Sequence, residues 1–386
     1  MLAQPSGRDR VGPLRGPDAF FGACAAGERW LTAHPIGAVA LVTGATLLVE
    51  WLVREGPSSW DWVWISGMMA VALGLPPAFR LLGFAGHAID RLADRGVLTG
   101  PPEALDQRTR RQAELLGRLC GPVFGLAVLA AFLTRVVGPA PPTGTGVADV
   151  GNHVAEVILG CVAAFFVGRA TGSGLAIAML GRRIDAGPWA LQVRPGHVDG
   201  AAGLKPVGDL FFRQAMIIAI PAVWLIIVLG FKTVAVVGAD GLSALQQVVG
   251  TGRGWGPWYF VLLLAAVALE VAAFIVPMVS FHRVMVGQKH ELERTADQRS
   301  IPLHALEETL PTISDEAARR SAEDQISRMR EHSLRIEQMP TWPIDALLRR
   351  RFTIRNALLL VPVVANAVGL TVESTHWSTL GDIFGT

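Results

Sequence analysis

Six runs of mostly apolar residues, each about 18 to 27 residues long, punctuate this chain of 386 residues. A helix needs about 20 such residues to cross the hydrocarbon core of a bilayer. The runs are Ile36–Val53, Trp62–Phe84, Leu119–Val137, Val154–Leu180, Phe211–Phe231 and Trp258–Phe281. A weaker seventh, Asn356–Val372, contains Pro362 and Asn366. Backbone in lipid must satisfy its own hydrogen bonds, which makes each run a helix. A barrel would show alternating segments of about ten residues, and none is visible. The expected fold is all-α: a polytopic membrane bundle of about seven transmembrane helices. Only 17% of residues are charged, against about 25% in soluble domains, so much of the surface is expected to face lipid.

Lys and Arg placement sets the expected orientation. Arg8, Arg10, Arg15 and Arg29 precede the first run, and the next loop has only Arg54. Arg91, Arg95, Arg108, Arg110, Arg111 and Arg118 lie between the second and third, while the loop after the third has only Arg135 at its edge. Arg182, Arg183, Arg194, Lys205 and Arg213 come next, then a loop with only Lys232 and Arg253. The segment after the sixth run is basic and ends in Arg349, Arg350, Arg351 and Arg355; no Lys or Arg follows Asn356. This alternation puts the N-terminus in the cytoplasm and the C-terminus outside, in a multi-pass protein of the cell (inner) membrane. A re-entrant seventh segment would return the C-terminus inside. Trp51, Trp60, Trp62, Trp64, Trp255 and Trp258 read as outer interface anchors, and Trp30, Trp189 and Trp342 as inner ones.

The expected organisation is a cytoplasmic N-terminal segment (1–35), a six-helix transmembrane core (36–281), a cytoplasmic helical segment (282–351) and a C-terminal spanning or re-entrant helix with an outer tail (352–386). The polar N-terminus has no short apolar core with a cleavage site, so no removable signal peptide is expected. The sixth span should continue as a helix over His282–Arg299, with Pro302 as the first breaker. Two shorter helices are expected after it, the first opening at Ser300 and Pro302, the second capped by Ser314. Ala322, Ile326, Met329 and Ile336 form an apolar stripe on the second, fit either for docking on a neighbouring helix or for self-association into a homo-oligomer.

Charged groups in mid-bilayer are costly and face a partner or a watery cavity. Arg169 and Glu270 are two, in spans four and six, at depths of roughly 22 and 18 Å, so they are expected to meet as a packing ion pair or a permeation site. Gly168 and Gly172 flank Arg169 as a Gly-x-x-x-Gly pair, suited to close helix packing or to local unwinding. Glu50, His153 and Glu156 lie near outer helix ends, as solvated interfacial charge or an acidic vestibule for cations.

No phosphate loop, zinc-protease or serine-hydrolase pattern occurs. The Gly-rich stretch Gly250–Gly256 lacks the Lys-Ser/Thr of a phosphate loop. Cys24, Cys120 and Cys161 give neither a disulfide framework nor a zinc spacing. No catalytic constellation, metal site or cofactor is therefore expected, and the net charge of +2 gives no footprint for nucleic acid. The most individual stretch is the loop Arg194-Pro195-Gly196-His197-Val198-Asp199-Gly200-Ala201-Ala202-Gly203-Leu204-Lys205. It resembles a loop, His-Pro-Asp-x-Ala-Gly-Gly-Leu, of a widespread group of bacterial polytopic membrane proteins with no assigned activity. Lys289-His290-Glu291-Leu292 and Met339-Pro340-Thr341-Trp342-Pro343-Ile344-Asp345 are similar to that group too. Val198 stands where the group has Pro, and Ala202 where it has the first Gly of its pair. The resemblance singles out His197, Asp199, Gly203 and Leu204, as a tight structural loop or as a ligand or gating contact, and implies no chemistry.

Two functions are expected from these features. The first is an ion or small-solute channel or transporter, resting on Arg169, Glu270 and the outer acids. The alternative is a membrane-anchored sensor or effector of stress or defence, acting on a cytoplasmic protein partner through 282–351 and the His197 loop.

Overall fold

The computed structural model describes residues 16–53, 61–137, 147–237, 256–312 and 314–357. They form an all-α bundle in which six helices are long and apolar enough to cross a membrane. Helix α1 spans Gly16–Ala33 and α2 Pro35–Val53. Helix α3 spans Trp62–Asp94 and α4 Pro102–Val137. Helix α5 spans Val147–Ala178, and the short α6 covers Leu180–Asp185. Helix α7 spans Lys205–Val237 and α8 Gly256–Thr309. Helix α9 spans Glu316–Glu337, and α10 runs over residues 346–357. A single antiparallel contact, β1 (Leu98–Thr99) on β2 (Ala190–Leu191), ties two loops together.

The apolar runs locate the spans, but several helices extend well past them. Asp61 caps α3 by accepting from the amides of Val63 and Trp64 at 3.0 Å. The helix continues ten residues beyond Phe84 because Ala85, Ala88, Ile89 and Leu92 recur at helical spacing and are all buried. Likewise α4 opens 17 residues before Leu119, with Pro102 at its first position, where a missing N–H costs nothing. These extensions converge on one end of the bundle, the end that carries the basic loops. There they build the main apolar core, with Leu81, Ile89, Leu92, Leu105, Ile177, Leu180, Ile184, Leu204, Phe211 and Phe281. A smaller cluster of Ala222, Leu225, Leu263 and Val267 joins α7 to α8.

Helix α8 has 54 residues, roughly 80 Å at the α-helical rise, so about half of it projects beyond any bilayer. It does not break at Pro302, as the sequence suggested. The carbonyl that Pro302 leaves without a donor belongs to Gln298, an exposed residue with water in reach. The chain turns instead at the 3-10 segment Leu310–Thr312. The cap of α9 is Asp315 rather than Ser314, with its carboxylate accepting from Ala317 N at 3.1 Å. Ala322, Ile326 and Ile336 are buried as α9 folds back along α8. The stripe is thus covered by its own chain. Projecting α8 and α9 together make a helical arm.

Both ends of the chain that the structure describes pack on the bundle. The N-terminal segment is not merely a polar lead-in: α1 packs on α3 and α5, and Phe20 meets Phe165 edge-on at 5.7 Å. The expected seventh span, Asn356–Val372, lies outside the described residues except for its first two. Its approach is described: α10 climbs along α8, and Phe352 stacks on Phe274 at 4.1 Å.

Candidate functional site

The His197 loop connects β2 to α7 and is organised around Asp199, whose side chain is only 6% exposed. Oδ1 accepts from the amides of Ala201 and Gly203, each at 3.0 Å. Oδ2 accepts from Arg95 Nη1 at 2.7 Å. His197 Nδ1 lies 3.0 Å from Oδ1, short enough to donate to it. Burial works to raise the pKa of Asp199; the Gly203 and Ala201 amides and the His197 ring outweigh it and hold the carboxyl below its usual range. Gly203 has φ +91°, and a Cβ there would sit 2.5 Å from Val97 Cγ2, so only glycine fits. Ala202, at φ +52°, holds a left-handed conformation that strains any L side chain. Leu204 is fully buried in the core.

The three separated stretches that carry the resemblance meet here. Gln288 on α8 accepts from Val193 N at 2.8 Å and donates to Leu191 O, pinning the loop's entry. Lys289 donates to Glu337 O at 2.8 Å and Met339 O at 3.3 Å, capping the end of α9. His282 stacks on Trp342 at 4.3 Å, and its Nδ1 lies 2.6 Å from Thr341 O. Lys205, the first residue of α7, pairs with Asp345 at 2.7 Å. Asp345 in turn caps α10 by accepting from Leu348 N at 2.7 Å. The Lys205 hydrogen bond and then the Leu348 amide hold the Asp345 carboxyl below its usual range. Gly208 lets Pro343 approach α7 backbone to backbone. The result is a knot that clamps the arm and α10 onto α3, α7 and α8. Among the described residues no three His, Cys, Asp or Glu side chains converge as a metal site.

The intramembrane charges do not pair as the depths suggested. Arg169 bonds through Nε to Glu28 of α1, and its guanidinium also lies 6.0 Å from the Phe21 ring. Glu270 is fully buried, and Arg355 of α10 approaches it at 3.5 Å. Each charge thus takes a partner from the first or the last of the described helices. Equal depth brings two groups to one level but says nothing of which way each faces. Around Arg169 helix α5 is unbroken. Gly168 rests against Cys120 and Gly121 of α4, and a Cβ on Gly172 would lie 2.5 Å from Gly117 N.

At the opposite end Glu50 is fully buried and accepts from Asp61 N at 3.1 Å. It is therefore not a solvated charge; it ties α2 to the cap of α3. Glu156 is half-buried on α5, and the side chain of His153 lies outside the described residues, as does most of the Gly250–Gly256 stretch.

Compared with protein-family models, with curated proteins and with solved structures, the chain matches none.

Several of these contacts carried no sequence signal as pairings. Arg95 was one of six arginines in a basic loop. Trp189, expected as an interface anchor, is buried in the core, and its Nε1 donates to Pro101 O at 2.9 Å. Trp342 is a stacking partner for His282. Lys205 and Asp345 are 140 residues apart, and no local periodicity links them. Glu28 stood in a segment with no apolar run to mark it.

Proposed function

We propose that this chain is a membrane-anchored sensor or effector whose transmembrane bundle holds a helical arm in a defined pose for a protein partner. The observation that carries the reading is the knot. A bundle serving only as an anchor needs no clamp on its projecting segment, yet here His282, Gln288 and Lys289 on α8 fasten the Thr341–Trp342 turn, the entry of the His197 loop and the end of α9, and Lys205 on α7 holds Asp345 at the start of α10. A shift in α3, α7 or α8 would reach α9 through these contacts. The alternation of Lys and Arg supports a cytoplasmic arm, an inner-membrane location and a cytoplasmic partner.

The test uses the full chain in nanodiscs as bait. Wild type should capture a partner that Trp342→Ala and Lys205→Gln capture several-fold less. Equal capture by all three, or no specific partner, would remove the reading.

A second reading, permeation of an ion or small solute, draws on Glu270. Its carboxylate is buried in mid-span, and neither oxygen is hydrogen-bonded. Current in planar bilayers that is abolished by Glu270→Gln would favour it; a silent, folded wild type would exclude it.

A further inference from the structure

Arg183 on α6 is buried, yet among the described residues no carboxylate forms a salt bridge with it. Its Nη2 donates to Ala176 O at 2.6 Å, its Nη1 to Thr109 Oγ1 at 3.0 Å and its Nε to Gln112 Oε1. These partners satisfy hydrogen bonds but carry no charge. Burial first, and the charge of Arg108 second, push its pKa down to about 10.

The Thr109 and Gln112 contacts hold Arg183 against the stretch of α4 that carries Arg108 and Arg111, the residues that precede them in sequence, and the charge of Arg108 acts on it. Both arginines are exposed. The acids interleaved with them on α4 are already taken: Asp106 pairs with Arg110 at 2.7 Å and Glu114 with Arg118 at 2.6 Å. Among the described residues no salt bridge joins Arg108, Arg111 or Arg183 to an acid. Further along the same helix face, at spacings of three and four, come Leu115, Leu119, Val123 and Leu126. All four are exposed, as a lipid-facing stripe of a spanning helix should be. The stripe turns from leucine to arginine as α4 leaves the membrane.

We propose that Arg108 and Arg111, backed by the buried charge of Arg183, bind the phosphate of an anionic phospholipid whose acyl chain lies along Leu115, Leu119, Val123 and Leu126. Paired guanidiniums suit the oxygens of a phosphodiester. Basic sites at the end of spanning helices are suited to anionic headgroups. The apolar continuation of the stripe favours a lipid over a soluble phosphate, which would have no use for it.

The test reconstitutes the full chain in nanodiscs of equal phosphatidylglycerol and phosphatidylcholine, then releases it for native mass spectrometry. Wild type should keep phosphatidylglycerol in preference to phosphatidylcholine. Arg108→Gln with Arg111→Gln should keep it about tenfold less well or worse. Arg319→Gln with Arg320→Gln, on the exposed face of α9, should match wild type. The single variants R108Q and R111Q should fall between, and they carry the test if the double variant folds poorly. Equal retention of the two lipids, or undiminished retention by the R108Q and R111Q variants, would overturn the proposal. So would displacement of the lipid by millimolar inorganic phosphate, which would give the site to a soluble anion.

Discussion

Arg95 Nη1 donates to Asp199 Oδ2 at 2.7 Å, across 104 residues of sequence. One carboxylate thereby orders its own loop through the Ala201 and Gly203 amides and binds that loop to the end of α3.

Asp199→Asn should destabilise the basic end by about 2–4 kcal/mol, because Arg95 loses its charge partner and one side-chain atom can no longer accept. Thermal unfolding in detergent measures it, and Asp199→Ala should cost at least as much.

Acid should act in the same direction. Asp199 and Asp345 both have carboxyls held below their usual range. A depressed carboxyl contributes stability that is complete above the unfolded pKa of about 4 and is lost as pH falls through the lower folded value. Hydrogen exchange of α9 should therefore be unchanged by these two groups from pH 8 to 5, with protection failing below about pH 4.

The intramembrane pairs predict a specific coupling pattern. Glu28→Gln should cost about 3–5 kcal/mol by leaving Arg169 buried without a counter-charge. A double-mutant cycle should give a coupling of about 1 kcal/mol or more between Glu28 and Arg169, and close to zero between Arg169 and Glu270. A large Arg169–Glu270 coupling would restore the pairing suggested by depth alone.

Helix contacts make two more comparisons. A methyl on Gly172 meets the backbone of Leu116 and Gly117, whereas Gly44 has nothing within 4 Å. Gly172→Ala should lower stability by about 1–3 kcal/mol, and Gly44→Ala should be neutral or stabilise by up to about 1 kcal/mol. In the arm, Ile336 is buried and Leu334 exposed. Ile336→Ala should cost about 2–4 kcal/mol, and Leu334→Ala less than about 0.5 kcal/mol.

The sequence disclosed whatever depends on one segment at a time. Apolar length alone located the six spans. The unusual run around His197 was visible as a motif, with Ala202 noted where a glycine would be expected. That residue turns out to hold φ +52°, which is why glycine suits the position. Pairings between distant segments were not visible. Arg169 and Glu270 matched in depth, but α1 and α10 supply their partners, and neither helix shows a long apolar run. The extensions of α3 and α4 were hidden for a related reason. Beyond the bilayer they are amphipathic, with apolar residues at helical spacing rather than in an unbroken stretch. Pro302 misled because a helix end in water tolerates a lost hydrogen bond that a buried one would not.

The central claim is that the knot fixes the arm's pose on the bundle. Its most direct test is a spin-label distance between exposed positions Glu103 on α4 and Leu334 on α9 in the full chain in nanodiscs. A single narrow distribution is expected for wild type, with clear broadening in Lys205→Gln and Trp342→Ala. A broad wild-type distribution, or one that neither substitution changes, would contradict the claim.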